Sequence, residues 1–409
     1  MRPADAGGEH DINSPSASIT ASPGVIDPTL QVGLGSPNRH WTFDLGRELQ
    51  ERGVLHRLYT MYPKSRVESV PTERIRSFPW VLGPVVAATR LGIDRNRTRL
   101  NPVVIQTYDR WLSRRIEPCT VFHCVSSFGL LTHQRAKSRF GALTVCDRGC
   151  AHIGFQDRIL GEEQARWGVD RHPIHGATKQ RELDEYEICD LITVPSPFAL
   201  RTFLQEGVPP EKVRCVPFGA DLSIFRPMPK EDDVFRVIFA GAISLEKGVP
   251  YLLEALKSLD LPRFEVWLVG PKAPETDFIF SLFPDGYRYL GLIPRTELSW
   301  YYSQASVLVL PSVQDGFGMV MAQAMACGVP VIATEHTGVD ALFADGEGGY
   351  HVPIRSSEAL REAIVRLYDD REERDRLAAN ALERIRHLGG WRTYGETMVS
   401  TYREALASR

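Results

Sequence analysis

The stretch 306–334, SVLVLPSVQDGFGMVMAQAMACGVPVIAT, constrains the fold more than any other part of the chain. Residues 306–310 and 329–333 are short, β-branched, apolar runs, the pattern of strands buried on both faces of a parallel sheet. Residues 311–318 between them read as a loop, followed by roughly three turns of helix. In that helix Met319, Ala322, Gln323 and Ala326 share one face. Gly328 offers a left-handed stop, and Pro330 forbids continuation. The unit is therefore strand, Gly-rich loop, helix, strand. Such a unit points the helix N-terminus at the carboxyl edge of the sheet. Unpaired N–H groups and a macrodipole worth about half a positive charge make an anion site there. Gly316 and Gly318 would admit a ligand close to the backbone. Asp315 stands on the rim, and Gln323 follows just over two turns into the helix. The competing bland reading is an ordinary strand–helix–strand unit with a glycine turn.

Alternating β and α patterns extend the same architecture along the chain, so the expected class is α/β with doubly wound parallel sheets. Strand candidates precede the unit at 30–34, 54–59, 121–125, 143–146, 191–194, 213–216, 235–240 and 264–269. At 409 residues and 43% hydrophobic content the chain has room for two domains. Residues 1–28, rich in Ser, Pro, Gly and Ala, are expected to be a disordered leader. The first domain then runs over 29–222 and the second over 223–390, with 222–233 as the linker and 391–409 as a last helix. A helix with Trp41, Leu45 and Leu49 at one-turn spacing follows the first strand. A dinucleotide fingerprint is not met, because a third glycine would fall at Asn38.

A net charge of −3 from 48 basic and 51 acidic residues gives no overall basic excess, so nucleic acid is not expected as a partner. Seven scattered cysteines without a CxxC pair fit a reducing compartment better than a disulfide framework or a zinc site. No apolar run approaches the ~18 residues of a membrane span, and the N-terminus has no signal-peptide core. The expected location is the cytoplasm.

DGFGMVMAQAMACGVPVIAT resembles the motif of retaining glycosyltransferases of family 4, E-G-F-G and E-A-M-A-x-G-x-P-V-(V/I)-A with seven residues between the two Glu positions. FAGAISLEKGVPYLLEAL, residues 239–256, is similar to that family's G-R-(hydrophobic)-x-x-x-K-G pattern, and VPFGAD at 216–221 to its V-P-N-G-V-D. The resemblance covers roughly residues 30–405. It implies a GT-B fold, with two Rossmann-like domains facing across a cleft and the last helix crossing back to the first domain. It also implies retaining transfer from a nucleotide diphosphate sugar, the co-substrate, to a glycan, a lipid-linked saccharide or a small-molecule hydroxyl, with no other cofactor and no essential metal.

The residue roles follow from that resemblance. Lys247 neutralises the leaving diphosphate together with Gly316, Phe317, Gly318 and Met319. Asp315 orients the sugar, and Gln323 holds the ribose. The loop 33–40, with Gly35, closes over the donor. Gly241 borders the site, and the base packs near Gly291 and Ile293. The chain departs from the family at Ala242, where it has Arg, and at Asp315 and Gln323, where it has Glu. A catalytically silent nucleotide-sugar-binding subunit is therefore the second reading. An epimerase or a phosphorylase would fit the fold but lacks a motif.

Three stretches remain. Cys146-Asp147 stands where relatives carry His-Asp, and Asp147 or His152 is a candidate sugar or acceptor contact. A Cys146/His152 hydrolase lacks an orienting acid. The stretch from Arg90 to Arg115 holds seven arginines around Ile105, Trp111 and Leu112. It is either a peripheral contact with the inner membrane surface, facing a lipid-linked acceptor, or a solvated helix face. The charge run 369–376 reads as a solvated helix face with i,i+4 pairs.

Overall fold

The buried apolar runs pair into two parallel sheets of seven and six strands. The computed structural model describes residues 29–409 apart from 39, 69, 82–100, 170–173 and 258. The leader 1–28 and the first part of the arginine stretch, 90–100, lie outside the described residues.

The first sheet contains β1 (Val32–Gly35), β2 (Leu55–Thr60), β3 (Ile75–Ser77), β4 (Val121–Val125), β5 (Leu143–Asp147), β6 (Leu191–Val194) and β7 (Val213–Cys215). Its order is β3-β2-β1-β4-β5-β6-β7. The second contains β8 (Phe235–Ala240), β9 (Phe264–Val269), β10 (Arg288–Gly291), β11 (Val307–Leu310), β12 (Val331–Thr334) and β13 (Gly349–Val352). Its order is β10-β9-β8-β11-β12-β13. In both, sequence-adjacent strands wind outward from a central pair, the Rossmann arrangement. Helices cover both faces, which is why every residue of β4, β5, β8, β11 and β12 is buried. Each such Val, Leu, Ile or Phe contributes on the order of 1.5–3 kcal/mol of apolar burial.

Three strands escape a reading based on apolar runs. β3 has three residues, β10 is half-exposed at the sheet edge, and β13 opens on Gly349. Helix Met319–Ala326 is shorter than expected, eight residues and just over two turns. It ends where Gly328 takes φ +74°.

Segment 222–233 carries no helix or strand. Asp221 holds its start, accepting from Ser223 Oγ at 2.6 Å and from Arg295 at 3.2 Å. Helix Trp391–Ala407 packs on helix Trp41–Glu51 and on β5. Its Tyr402 hydroxyl lies 2.9 Å from His123 Nδ1 in β4.

Among the described residues no helix is long and apolar enough to cross a membrane. In helix Asn101–Arg115, Ile105, Tyr108 and Leu112 are buried, and Trp111 stacks on Phe78 with ring centroids 5.2 Å apart. The apolar side chains expected to join a membrane patch there face the first domain's interior instead.

Candidate functional site

The strand order changes direction between β1 and β4 in one sheet and between β8 and β11 in the other. Open parallel sheets bind ligands beyond the carboxyl ends of their strands at such a point. The loop after β8 carries Lys247, and the loop after β11 carries Asp315. Lys247 Nζ donates to Asp315 Oδ2 at 2.6 Å. The two side chains keep 23% and 19% exposure. Burial alone would push the Lys247 ammonium down; Asp315, then Glu246, outweigh it and hold the group above its ordinary range.

Backbone contacts place this pair. Gly248 takes φ +66°, and a Cβ there would lie 1.9 Å from Pro311 O, so the two loops touch main chain to main chain. Val313 N–H donates to Glu246 O at 2.9 Å. On the far side, Asp315 N–H donates to His336 O at 2.8 Å and Gly318 N–H to Thr337 O at 3.0 Å.

The first domain closes the remaining side. Ser196 Oγ donates to Gly316 O at 2.7 Å. Gln314 accepts from Gln156 Nε2 at 3.1 Å and donates to Cys150 Sγ at 2.6 Å. A Cβ on Gly316 would lie 2.2 Å from Cys150 Cα, and one on Gly318 would lie 2.4 Å from Leu310 Cδ2. The expectation that these glycines leave room for a ligand is therefore corrected: protein fills the room. Phe317 is taken up likewise. It is buried, edge-on to Phe218 at 5.5 Å, and Phe218 stacks on Trp41 at 4.9 Å.

Helix Met319–Ala326 has no side-chain cap among the described residues, which leaves its first N–H groups without a side-chain acceptor. Met319 is half-buried at its start. Gln323 Oε1 accepts from the buried Tyr302 hydroxyl at 3.1 Å, while its Nε2 has no partner among the described residues. Ala242 lines a cavity of about 230 Å³ with Ser244, Glu246 and Glu275. Gly241 follows β8, and its N–H donates to Val269 O at 2.9 Å. Gly291 ends edge strand β10, and Ile293 is half-buried beyond it.

The first-domain candidates lie differently. Gly35 ends β1, and a Cβ there would meet Cys124 Sγ at 2.6 Å. His152 caps helix Ile153–Arg166, its Nδ1 accepting from Gly154 N–H at 3.1 Å. Its ring packs on Phe203 and Tyr186 at 4.9 and 5.1 Å, and burial pushes the imidazole down to about 4. The sugar-facing role expected for His152 gives way to a capping role in the domain interior. Asp147 is equally committed, with Trp41 Nε1 at 2.6 Å, Thr193 Oγ1 at 2.9 Å and His123 Nε2 at 3.2 Å.

Cys150, Gln156, Ser196 and Gln314 were not legible as partners of the loop, because their pairings span 120 residues or more. Glu163 likewise accepts from Tyr251 and from Arg355 at 2.7 Å each across the domains, over spans of 88 and 192 residues.

Residues 222–384 match the family model described as Glycosyl transferases group 1. The match covers most of the second domain. It contains Lys247, Asp315, Gln323 and Ala242. The D-inositol 3-phosphate glycosyltransferase of Paenarthrobacter aurescens strain TC1 is 29% identical over 223 residues, 49% of this chain and 54% of that one. The chain thus spans about half the length of this curated relative. Among solved structures, sucrose-phosphate synthase from Thermosynechococcus elongatus has a TM-score of 0.71 at 23% identity, over 93% of this chain and 100% of that chain. Anabaena HepE in complex with UDP-glucose has a TM-score of 0.64 at 17% identity, over 93% and 100%. These likenesses show the fold: the two domains form a GT-B pair of Rossmann-like domains.

Proposed function

We propose that the chain moves a sugar from a nucleoside diphosphate sugar to a hydroxyl acceptor, with retention at the anomeric carbon and without a required metal ion. The observation that carries this reading is the Lys247–Asp315 pair at 2.6 Å, set at the β8/β11 switch point beside an uncapped helix end. As the anomeric carbon–oxygen bond breaks, charge grows on the departing diphosphate. A cation and preorganised N–H donors stabilise that charge best where water is scarce. In the free chain Asp315 neutralises Lys247. A bound diphosphate would take over the ammonium and free the carboxylate for sugar hydroxyls. Gln323 would offer its unpartnered amide to the ribose. The nucleotide-sugar class is supported by the UDP-glucose bound in HepE, and retention by the family resemblance of 239–256 and 306–334.

A second reading, a silent nucleotide-sugar-binding subunit, is favoured by Ala242 and Gln323, which remove one cation and one anion from the expected contacts. Calorimetry with uridine, guanosine, adenosine and thymidine diphosphate sugars tests both, followed by transfer and donor-hydrolysis assays with and without EDTA. Donor binding with EDTA-resistant transfer is expected. Binding without turnover on a broad acceptor panel would select the silent subunit. Absence of binding would remove both, and activity lost in EDTA and restored by a divalent ion would overturn the metal-free assignment.

A further inference from the structure

The amino ends of the second sheet's strands enclose a cavity of about 450 Å³, at the opposite edge from Lys247 and Asp315. The linker, the starts of β8 and β11, and helix Arg371–Leu388 supply its walls, so it includes one flank of the charge run 369–376. Its charges divide into satisfied and unsatisfied groups. Arg263 pairs with Asp233, Arg371 with Asp375 at 3.5 Å, and Asp232 is held in a fork by Arg236. All three lining carboxylates are thereby neutralised. Lys230 and Arg374 remain, and neither forms an ion pair among the described residues.

Lys230 runs along the surface and turns its ammonium inward to Ser306 Oγ at 2.8 Å. Burial, then the neighbouring Arg236 and Arg374, push it down to about 8, as expected of a cation that lacks an anion. Arg374 lies over the Phe235 ring at 5.3 Å and spends Nη1 on Leu367 O at 2.6 Å. Nη2 and Nε have no bond among the described residues. Ser306, 7% exposed, completes the set. Its Oγ accepts from Lys230 Nζ and from Arg236 N–H at 3.1 Å. Both lone pairs are then used, and its proton has no acceptor among the described residues. One ammonium, one guanidinium edge and one hydroxyl thus offer donors within a single cavity, beside the apolar wall of Phe235 and Tyr368.

We propose that this cavity is a second ligand site, separate from the donor cleft, which takes a phosphate monoester of sugar-phosphate size. A phosphate dianion matches a point charge plus a planar donor edge, and the volume exceeds what inorganic phosphate alone would fill. This inference does not depend on the glycosyl-transfer reading, because no cleft residue takes part in it.

The test is calorimetric titration of the full chain with ribose 5-phosphate at millimolar concentration, with inorganic phosphate as the second probe. Wild type and Lys247→Ala should bind ribose 5-phosphate equally. Lys230→Gln and Arg374→Gln should each weaken it by about tenfold or more. Arg374 also supports Leu367, so a thermal melt accompanies that variant; if it unfolds, Lys230→Gln alone decides. Absence of binding by wild type, binding that survives in Lys230→Gln, or binding abolished by Lys247→Ala would each overturn the site. Equal affinity for inorganic phosphate would overturn the sugar-phosphate assignment.

Discussion

Asp147 ends β5 of the first sheet and Asp315 lies in the loop after β11 of the second, both at the carboxyl edge of a parallel sheet, yet they are built for different work. Asp147 is 2% exposed and accepts from Trp41 at the start of helix Trp41–Glu51 and from Thr193 in β6, with His123 of β4 3.2 Å away. Asp315 has one side-chain partner among the described residues, Lys247, and keeps a fifth of its surface. A carboxylate with three buried partners cannot turn to a ligand without leaving several donors unpaired. A carboxylate with one half-buried cation can exchange it for another group at little cost. The first domain thus uses its carboxylate to hold helix Trp41–Glu51, β4 and β6 together, while the second domain keeps its own in reserve.

The sharpest way to break this comparison is Asp147→Ala. It strands Trp41 Nε1, Thr193 Oγ1 and His123, and should cost about 3–5 kcal/mol in urea unfolding. A loss below about 1 kcal/mol would place Asp147 with Asp315 as a dispensable partner.

The complementary pair is Lys247→Ala and Asp315→Asn. Each should change stability by about 1 kcal/mol or less. Lys247→Ala should lower turnover by about a hundredfold, roughly 2.7 kcal/mol of barrier, with nucleoside binding largely kept. Asp315→Asn should lower transfer while free nucleoside diphosphate still binds. Equal loss of diphosphate affinity would reassign Asp315 to loop structure.

His152 sharpens the contrast through pH. Its folded-state value is depressed to about 4 from an ordinary 6.5, so the unfolded chain takes up the proton first. The stabilisation is present above about 6.5 and is lost as pH falls toward 4, at no more than about 1.4 kcal/mol per pH unit. His152→Asn keeps a capping acceptor and should flatten that part of the stability curve. An unchanged curve would show that the ring is not held neutral.

Gln323→Glu should have the smallest effect, unchanged donor affinity or a gain of about threefold. Glu would still accept from Tyr302 and could accept from the ribose more strongly, against an added charge near the diphosphate. A large loss would show that the amide N–H₂ is essential to the site.

Much of the frame was legible without coordinates. Continuous apolar runs such as VLVL and FRVIFA can be buried only on both faces, and their alternation with helices leaves a doubly wound parallel sheet as the economical solution. Gly328 and Pro330 stop a helix by local backbone geometry alone. The position of Lys247 just before Gly248 and of Asp315 beyond β11 was likewise local, a matter of which residue follows which strand. What the tertiary structure decided were the partners. Whether Gly316 faces a ligand or Cys150, whether His152 faces the cleft or Phe203, and whether Asp147 is free or bound by Trp41 depend on segments far apart in the chain. No periodicity records such a meeting. The pairing of Lys230 and Arg374 around one cavity was hidden for the same reason: a charge run reads as solvated until the fold shows which of its charges lack partners.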